Sequence, residues 1–480
     1  MVTVSTSKQG ESEYTHTIDG HAETSDRYFE VINPAIDFPF ALAPDASPEQ
    51  LNQAVIAAQR AYNSWRNLSF DERRRIIEKF SQSIVEHVDE IAKILTREQG
   101  KPLPNAKWEV LETADEIKTF CQFKVHSELI RADNNSRVEL HYRPLGVVGA
   151  ITPWNFPLLL AAPKIAHALY AGNTLILKPS PYTPLSTLLI GELARETFPP
   201  GVFNVLSGGN DLGRWMTEHP GIARITFTGS VATGKRVFGS AAETLKRITL
   251  ELGGNDPAIL LSDIDLEATA NHIFNSAMIN AGQTCIAVKR VYAPESIYEP
   301  LIEALARFAS AHHVGDGFEP GVQMGPIQNK MQYERVLGLI DDARQHIGVR
   351  IFAGGQTFEQ KGYFVAPTII ADLGDDARLV REEQFGPVLP ILKYQRIEDA
   401  VRRANNTRFG LGASVWARDI DRAAQIAAQI EAGTVWINSH ANYEAEIPFG
   451  GFKESGFGRE MGRLGLLSYL EPQIIHWRSE

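Results

Sequence analysis

The chain has 480 residues, about three times a typical domain of ~150, so two or three units with sizeable cores are expected and a small stapled scaffold is excluded. Charged residues make up 22% and hydrophobic ones 44%, which excludes a disordered or collagenous chain. The 47 Lys and Arg against 58 Asp and Glu leave a formal net charge of −11, which argues against a nucleic-acid or anionic-membrane binder.

Met1 to Arg27 is polar, with Glu11, Glu13, Asp19 and Glu23 and no apolar h-region, and reads as neither a signal nor a transit peptide. Tyr28 to Ile32 reads as a short strand stopped by Asn33 and Pro34. Ser47-Pro48-Glu49-Gln50 is a helix start, with a capping hydroxyl, proline at the first helical position and Gln three residues after the cap. Asp71 to Glu98 repeats apolar residues at helical spacing, in one helix or two, and stops at Gly100. Asn135 to Arg143 alternates polar and apolar residues as an exposed strand or hairpin does.

From Leu145 the texture changes. Val147 to Ile151, Thr174 to Leu177, Phe203 to Leu206, Ile225 to Thr228 and Ile248 to Leu250 read as buried strands separated by crossover helices, the pattern of a parallel doubly wound α/β sheet. Ligands bind beyond the carboxyl ends of such strands. A second α/β run begins near Gly253, with helices expected near Leu266 to Ala281, Ile297 to His312, Lys330 to His346 and Ile397 to Asn405. The tail, Leu466 to Trp477, has strand character. The most apolar stretch, Phe156 to Ala171, is broken by Pro157, Pro163, Lys164 and His167, short of the ~20 residues of a membrane span. With only Cys121 and Cys285, a disulfide framework is not expected. A soluble cytoplasmic protein is the reading.

Five features have residue types suited to chemistry. Gly282-Gln283-Thr284-Cys285 puts a thiol in a polar turn, where backbone N–H groups can stabilise a thiolate, although an isolated cysteine is more often core filler. Glu251 ends an apolar strand before Gly253 and Gly254, and either pairs with a basic neighbour or acts as a general base with its pKa raised by burial. In Pro153-Trp154-Asn155-Phe156-Pro157 the stiffened turn suits Asn155 either to an oxyanion or to a plain cap. Lys178 ends a strand and suits ribose or phosphate, or solvent. Phe227-Thr228-Gly229-Ser230 leads a strand into a helix start fit for pyrophosphate, without the G-x-G-x-x-G spacing. No spacing resembles a metal site, and no metal is expected.

In this order and at these intervals, the five features resemble the aldehyde dehydrogenase superfamily. So do Ile32-Asn33-Pro34-Ala35, Glu382 to Val388 and Pro448 to Gly456, and the likeness runs to Glu471. The resemblance implies an α/β fold with a Rossmann-type cofactor domain (1–122 and 144–252), an α/β catalytic domain (253–453) and a small β oligomerisation unit (123–143 and 454–480). It implies NAD(P)-dependent oxidation of an aldehyde to the acid. Cys285 would be the nucleophile, Asn155 with the Cys285 N–H the oxyanion donors, and Glu251 the base that activates water against the thioester. Glu251 favours hydrolysis over transfer to coenzyme A.

Thr152, Pro153, Trp154, Lys178, Ser180, Gly229, Ser230, Gly253, Glu383 and Phe385 would hold the cofactor. Phe156, Leu160, Pro163, Ile286 and Phe449 would line an apolar tunnel for a medium-sized aliphatic or aromatic aldehyde, with His440, Asn442 and Tyr443 in a loop that shapes it. Glu460 matches a second carboxylate with a relay or an ion-pair role. Pro181 stands where many NAD-preferring members have Glu, so NAD is held only slightly ahead of NADP. A homodimer or homotetramer is expected. The competing functions are a non-catalytic structural or binding member of the same fold and a cofactor-independent cysteine esterase.

Overall fold

Five parallel strands at the centre of an eight-stranded sheet come from the apolar runs between Val147 and Glu251 in a computed structural model that describes residues 14–356, 358–359 and 361–478. Residues 1–13 of the polar start, with Glu11 and Glu13, lie outside the described residues. In spatial order the sheet runs Gly456–Phe457, Arg247–Glu251, Arg224–Thr228, Val147–Ile151, Thr174–Lys178, Phe203–Val205, His16–Ile18, His21–Glu23. The three strands Val147–Ile151, Thr174–Lys178 and Arg224–Thr228 are buried along their whole length, as strands covered by helices on both faces must be. After Val147–Ile151 the chain adds strands on one side, then returns to pair Arg224–Thr228 on the other. The crevice between these two strands is a topological switch point, where ligands bind in doubly wound sheets.

Past Glu251 the chain crosses directly into a second, seven-stranded sheet. Its strands run Arg350–Ala353, Thr368–Ala371, Val388–Tyr394, Val288–Pro294, Asp256–Leu260, Gly412–Trp416, Thr434–Ile437, all parallel except the first. Helices Leu266–Met278, Tyr298–Ala311, Lys330–Arg344 and Ile397–Asn405 fall where the sequence predicts them. A separate three-stranded sheet pairs Glu128–Ala132 with Ser136–Pro144, and Ser136–Pro144 with Leu470–Arg478, all antiparallel. The tail strand starts later than expected because Gly462–Leu467 is helical.

Local signals explain several boundaries. The Ser47 hydroxyl accepts from the Gln50 N–H and the Gln50 side chain accepts from the Ser47 N–H, completing the capping box. The region Asp71 to Glu98 is two helices, Phe70–Glu86 and Val88–Gln99, and the second ends on Gly100 at φ 96°, a left-handed position that glycine adopts without strain. The helix Leu103–Thr119 is invisible to the same reading, since no capping side chain opens it and Pro104 lies in its first turn. Its inner face nevertheless carries Glu109, Thr113 and Glu116, all buried, and the first of these shapes the site. Among the described residues no helix is long and apolar enough to cross a membrane.

Candidate active site

The Val147–Ile151 strand runs straight into the turn that bears Asn155. The Thr152 N–H donates to the Lys178 carbonyl at 3.0 Å, so the turn starts in register with the neighbouring strand. Buried Lys101 pairs with Glu109 and donates to the Asn155 carbonyl at 3.0 Å. Glu109 accepts from the Leu158 and Leu159 N–H groups at 3.1 and 3.3 Å, closing the far side of the turn. Asn155 is therefore fixed by its own backbone, and its side chain reaches across to the second sheet, where Nδ2 donates to the Gln283 carbonyl at 2.9 Å. The second amide hydrogen is available to a ligand.

Gln283 belongs to the turn that presents Cys285. After the helix Leu266–Met278 the chain reverses through Asn280, Ala281 and Gly282, at φ of 51°, 57° and 70°. A Cβ on Gly282 would overlap the Gly386 carbonyl, so only glycine fits. Cys285 emerges half-buried, whereas Cys121 is fully buried and donates its S–H to the Ile117 carbonyl. Of the two thiols, only Cys285 is open to a reactant.

Burial pushes the Cys285 thiol up to about 12, and the charges of Glu383, Asp256 and Glu251 push the same way while Lys289 opposes them. This corrects the expectation that backbone N–H groups of the turn stabilise a thiolate. Without a ligand the sulfur keeps its proton, and a base must remove it for reaction.

A candidate for that base stands at the end of the Arg247–Glu251 strand. Both Glu251 carboxylate oxygens are buried and without a hydrogen-bond partner, and Gly450 leaves room for the carboxylate, since a Cβ there would lie 2.9 Å from Oε1. Burial first, then the charge of Glu460, raises the Glu251 carboxyl well above the usual range. Among the described residues no basic side chain bonds the Glu251 carboxylate, which favours the raised-base reading over the ion pair. Glu460 is an ion-pair partner: Lys164 bonds it, and the Thr226 hydroxyl donates to it at 2.8 Å.

The cofactor candidates gather on the other side of the same strand ends. Lys178 is not solvated. Its ammonium is buried, donates to the Pro179 carbonyl at 3.1 Å, and is lowered by burial to about 8. A buried cation with spare donors fits ribose hydroxyls. Ser180 is buried beside it, and the Thr152 hydroxyl is buried and unpartnered.

Across the switch point Ser230 caps the twelve-residue helix Val231–Ala242, accepting from the Thr233 N–H at 3.3 Å. Gly229 precedes it, and a Cβ there would come 2.6 Å from the Phe227 ring. That bare helix start is suited to pyrophosphate. Glu383 packs onto Gly253, where a Cβ would collide with its carboxylate, and accepts from the Gly254 N–H at 3.0 Å. Phe385, at φ 50°, meets Trp154 edge to face with ring centroids 5.2 Å apart, following the half-buried Pro153. The residues present thus fit a nicotinamide dinucleotide, from a ribose cation through a pyrophosphate cradle to a carboxylate beside the thiol.

The apolar candidates continue from Asn155. Phe156 is buried under the Lys101 ammonium, 3.9 Å from its ring centroid, Leu160 is half-buried, and Pro163 and Ile286 are buried. Phe449 packs edge to face on Tyr443 at 5.8 Å. His440, expected to shape the pocket, instead turns inward. Its ring nitrogens meet the Ser414 hydroxyl and the Ile286 carbonyl, each at 2.9 Å, and burial lowers it to about 3. It is a neutral brace for the residue after the thiol.

Three buried groups have no sequence signal: Asp256 and Glu116, whose carboxylate oxygens are unpartnered, and Lys289 beneath the Cys285 turn. Asp256 opens an otherwise apolar strand, Lys289 stands beside Arg290, and Glu116 lies in a helix with several other charged residues, so each looks like a surface position in the sequence. Among the described residues no cluster of His, Cys, Asp and Glu could hold a metal ion.

Comparison with known proteins bears on the same arrangement. The aldehyde dehydrogenase family model matches residues 21–475. The chain belongs to the aldehyde dehydrogenase family. It is 38% identical over 465 residues to aldehyde dehydrogenase LUC3 of a Fusarium species, covering 96% of this chain and 98% of that one. It is 38% identical over 468 residues to mouse retinaldehyde dehydrogenase 3, covering 95% and 91%.

Among solved structures, the NAD+ complex of aldehyde dehydrogenase from Bacillus cereus superposes with a TM-score of 0.95 at 37% identity over 98% of this chain and 97% of that one. Betaine aldehyde dehydrogenase from Staphylococcus aureus, in complex with NAD+, gives a TM-score of 0.93 at 32% identity over 97% and 95%. The chain has the aldehyde dehydrogenase fold, with its Rossmann-like cofactor domain and α/β catalytic domain, and its activity is NAD(P)-dependent aldehyde oxidation.

Proposed function

We propose that this aldehyde dehydrogenase is hydrolytic, with Cys285 as nucleophile, Asn155 and the Cys285 N–H as oxyanion donors, and Glu251 as base. The observation that carries the reading is the convergence of the half-open Cys285 thiol, the Asn155 amide hydrogen and the unpartnered Glu251 carboxylate at one sheet boundary. In the first step the Cys285 sulfur bonds the aldehyde carbon, its proton passes to Glu251, and the carbonyl oxygen becomes an oxyanion held by Asn155. One such donor contributes roughly 3 kcal/mol. When bound, the nicotinamide dinucleotide supplies the acceptor for the hydride that converts the thiohemiacetal to a thioester. Once Glu251 has released that proton to solvent, it takes a proton from water as the water adds to the thioester carbon, and the C–S bond breaks to free the carboxylic acid and the thiolate, which Glu251 reprotonates.

Lys178 and Ser180 would hold the adenosine ribose, Gly229 and Ser230 the pyrophosphate, and Glu383 the nicotinamide ribose. Thr152, Pro153, Trp154, Gly253 and Phe385 would frame the nicotinamide. Pro181 puts no carboxylate beside buried Lys178, so NADP is admitted alongside a slightly favoured NAD. Phe156, Leu160, Pro163, Ile286 and Phe449 suit a medium-sized apolar aldehyde.

The division into a cofactor unit (1–122, 144–252), a catalytic unit (253–453) and a β unit (123–143, 454–480) belongs to the same reading, supported by the eight-, seven- and three-stranded sheets, although Gly456–Phe457 of the third unit pairs at the edge of the first sheet. In the small sheet Leu129 is 60% exposed, Ile130 59% and Ile474 56%, and its edge strands are unpaired in the single chain, which supports a homodimer or homotetramer. The test is a panel of aldehydes assayed with NAD and with NADP, with and without coenzyme A. Acid formation and reduced cofactor without coenzyme A are expected, and turnover that requires coenzyme A overturns the hydrolytic reading.

A further inference from the structure

Lys289, second residue of the strand Val288–Pro294, is 3% exposed and points back beneath the catalytic turn. Its ammonium donates to the Thr284 carbonyl at 2.8 Å and to the Cys285 carbonyl at 2.6 Å. It also stands 3.9 Å from Glu383 Oε1, the oxygen that accepts from the Gly254 N–H. One cation thereby joins the carbonyls on either side of the Cys285 peptide N–H to the carboxylate across the crevice. Its own carbonyl is held as well, accepting from Gln384 Nε2 at 3.1 Å.

The charges that face the thiol come from four elements: Glu383 from its loop, Asp256 from the adjacent strand, Glu251 from the end of the first sheet, and Lys289. His440 stands 3.8 Å from Asp256 but is kept neutral by burial. Arg290, next along the strand, turns away and donates to the Asn255 and Ala404 carbonyls. Among the described residues whose charges act most strongly on the sulfur, Lys289 is the one cation, against three carboxylates.

We propose that Lys289 is a positioning residue for Cys285, which holds the nucleophile's turn against Glu383 and supplies the positive charge that offsets the carboxylates around the sulfur. The proposal rests on the assignment of Cys285 as nucleophile, and it gives a buried ammonium a task that folding alone does not require. A neutral hydrogen-bond donor of similar length would hold the two carbonyls equally well. What only a cation adds is an electrostatic bias toward the thiolate.

The test is the pH dependence of iodoacetamide alkylation of the full-length, cofactor-free enzyme, with Cys285→Ala as the blank for buried Cys121. Lys289→Gln retains donors for both carbonyls and loses the charge. It is expected to slow alkylation about tenfold at each pH from neutral upward, a tenfold loss of thiolate. Lys289→Met should do the same, and Lys289→Arg should restore the wild-type profile. A Lys289→Gln enzyme that melts like wild type and alkylates along the wild-type profile overturns the proposal. So does faster alkylation, which marks a loosened turn and a merely structural lysine. If Lys289→Met does not fold, the Gln and Arg pair decides alone. Aldehyde oxidation that survives full alkylation of Cys285 would instead refute the nucleophile assignment, whatever the alkylation rates show.

Discussion

The Asn155 side-chain amide donates to the Gln283 carbonyl at 2.9 Å, so the turn leaving the first sheet is tied to the turn that presents Cys285. The bond takes up one amide hydrogen, leaves the other for the oxyanion role proposed for Asn155, and holds the Cys285 loop in place. Asn155→Ala is expected to lower kcat by 10² to 10³, about 3 to 4 kcal/mol, with a small change in KM. Steady-state kinetics at saturating cofactor check this, and an unchanged kcat would remove the oxyanion role.

Glu251 should be tested by the order of events. Glu251→Gln is expected to slow thioester hydrolysis more than hydride transfer, giving a burst of reduced cofactor and then a low steady rate in stopped-flow absorbance. Because burial and Glu460 hold this carboxyl above its usual range, its base form grows as pH rises. The wild-type steady rate should therefore climb from neutral toward alkaline pH. In Glu460→Gln, without the neighbouring charge, the climb should begin at lower pH. A uniform slowing of Glu251→Gln with no burst would give Glu251 another role.

The Lys164 and Glu460 pair is buried and also bound by Thr226. Removing one partner leaves an uncompensated charge, so Lys164→Met is expected to cost about 3 to 5 kcal/mol in urea unfolding. The double variant Lys164→Met with Glu460→Gln should recover part of that loss. Additive losses would mean that the two groups are not coupled.

How much could be read in advance varied with burial. Segments whose backbone chemistry is written in their letters were legible: Ser47 to Gln50 as a capping box, Gly100 as a stop, and the Val147–Ile151 run as a buried strand. The candidate groups Cys285, Glu251 and Asn155 were legible by position, at strand ends and in turns. Their electrostatics were not, because the shift on Cys285 comes from Glu383, Asp256 and Lys289. These residues lie on separate elements that only the crossing between sheets brings together. Lys289, beside Arg290 in its strand, and Glu116, in a helix without a start signal, carry no local mark of being buried.

Glu116 has a measurable consequence for stability. Burial, then Glu112 and Asp115, raise it from 4.5 to about 9 in the folded chain. Its contribution to stability is whole below pH 4.5, where both states hold the proton, and is lost as pH rises toward about 9, since unfolding then releases a proton. Glu116→Gln should remove up to about 1.4 kcal/mol per pH unit of that decline. Denaturant titrations of both proteins across this window check it, and parallel pH profiles would contradict it.

Cofactor choice turns on the ribose end. Lys178 is buried with a single carbonyl as hydrogen-bond partner, and Pro181 brings no carboxylate to it. Pro181→Glu is expected to raise the preference for NAD over NADP at least tenfold in kcat/KM, mainly by weakening NADP. An unchanged ratio would move the discriminating contact elsewhere.

The most direct test looks for the acyl-enzyme itself. Glu251→Gln enzyme is mixed with an aldehyde and NAD, quenched in acid within the burst, digested and examined by mass spectrometry. The prediction is an added acyl group on the peptide that contains Cys285, absent when the cofactor is omitted. An adduct on Cys121, or reduced cofactor formed with no acyl group on either cysteine, would contradict it.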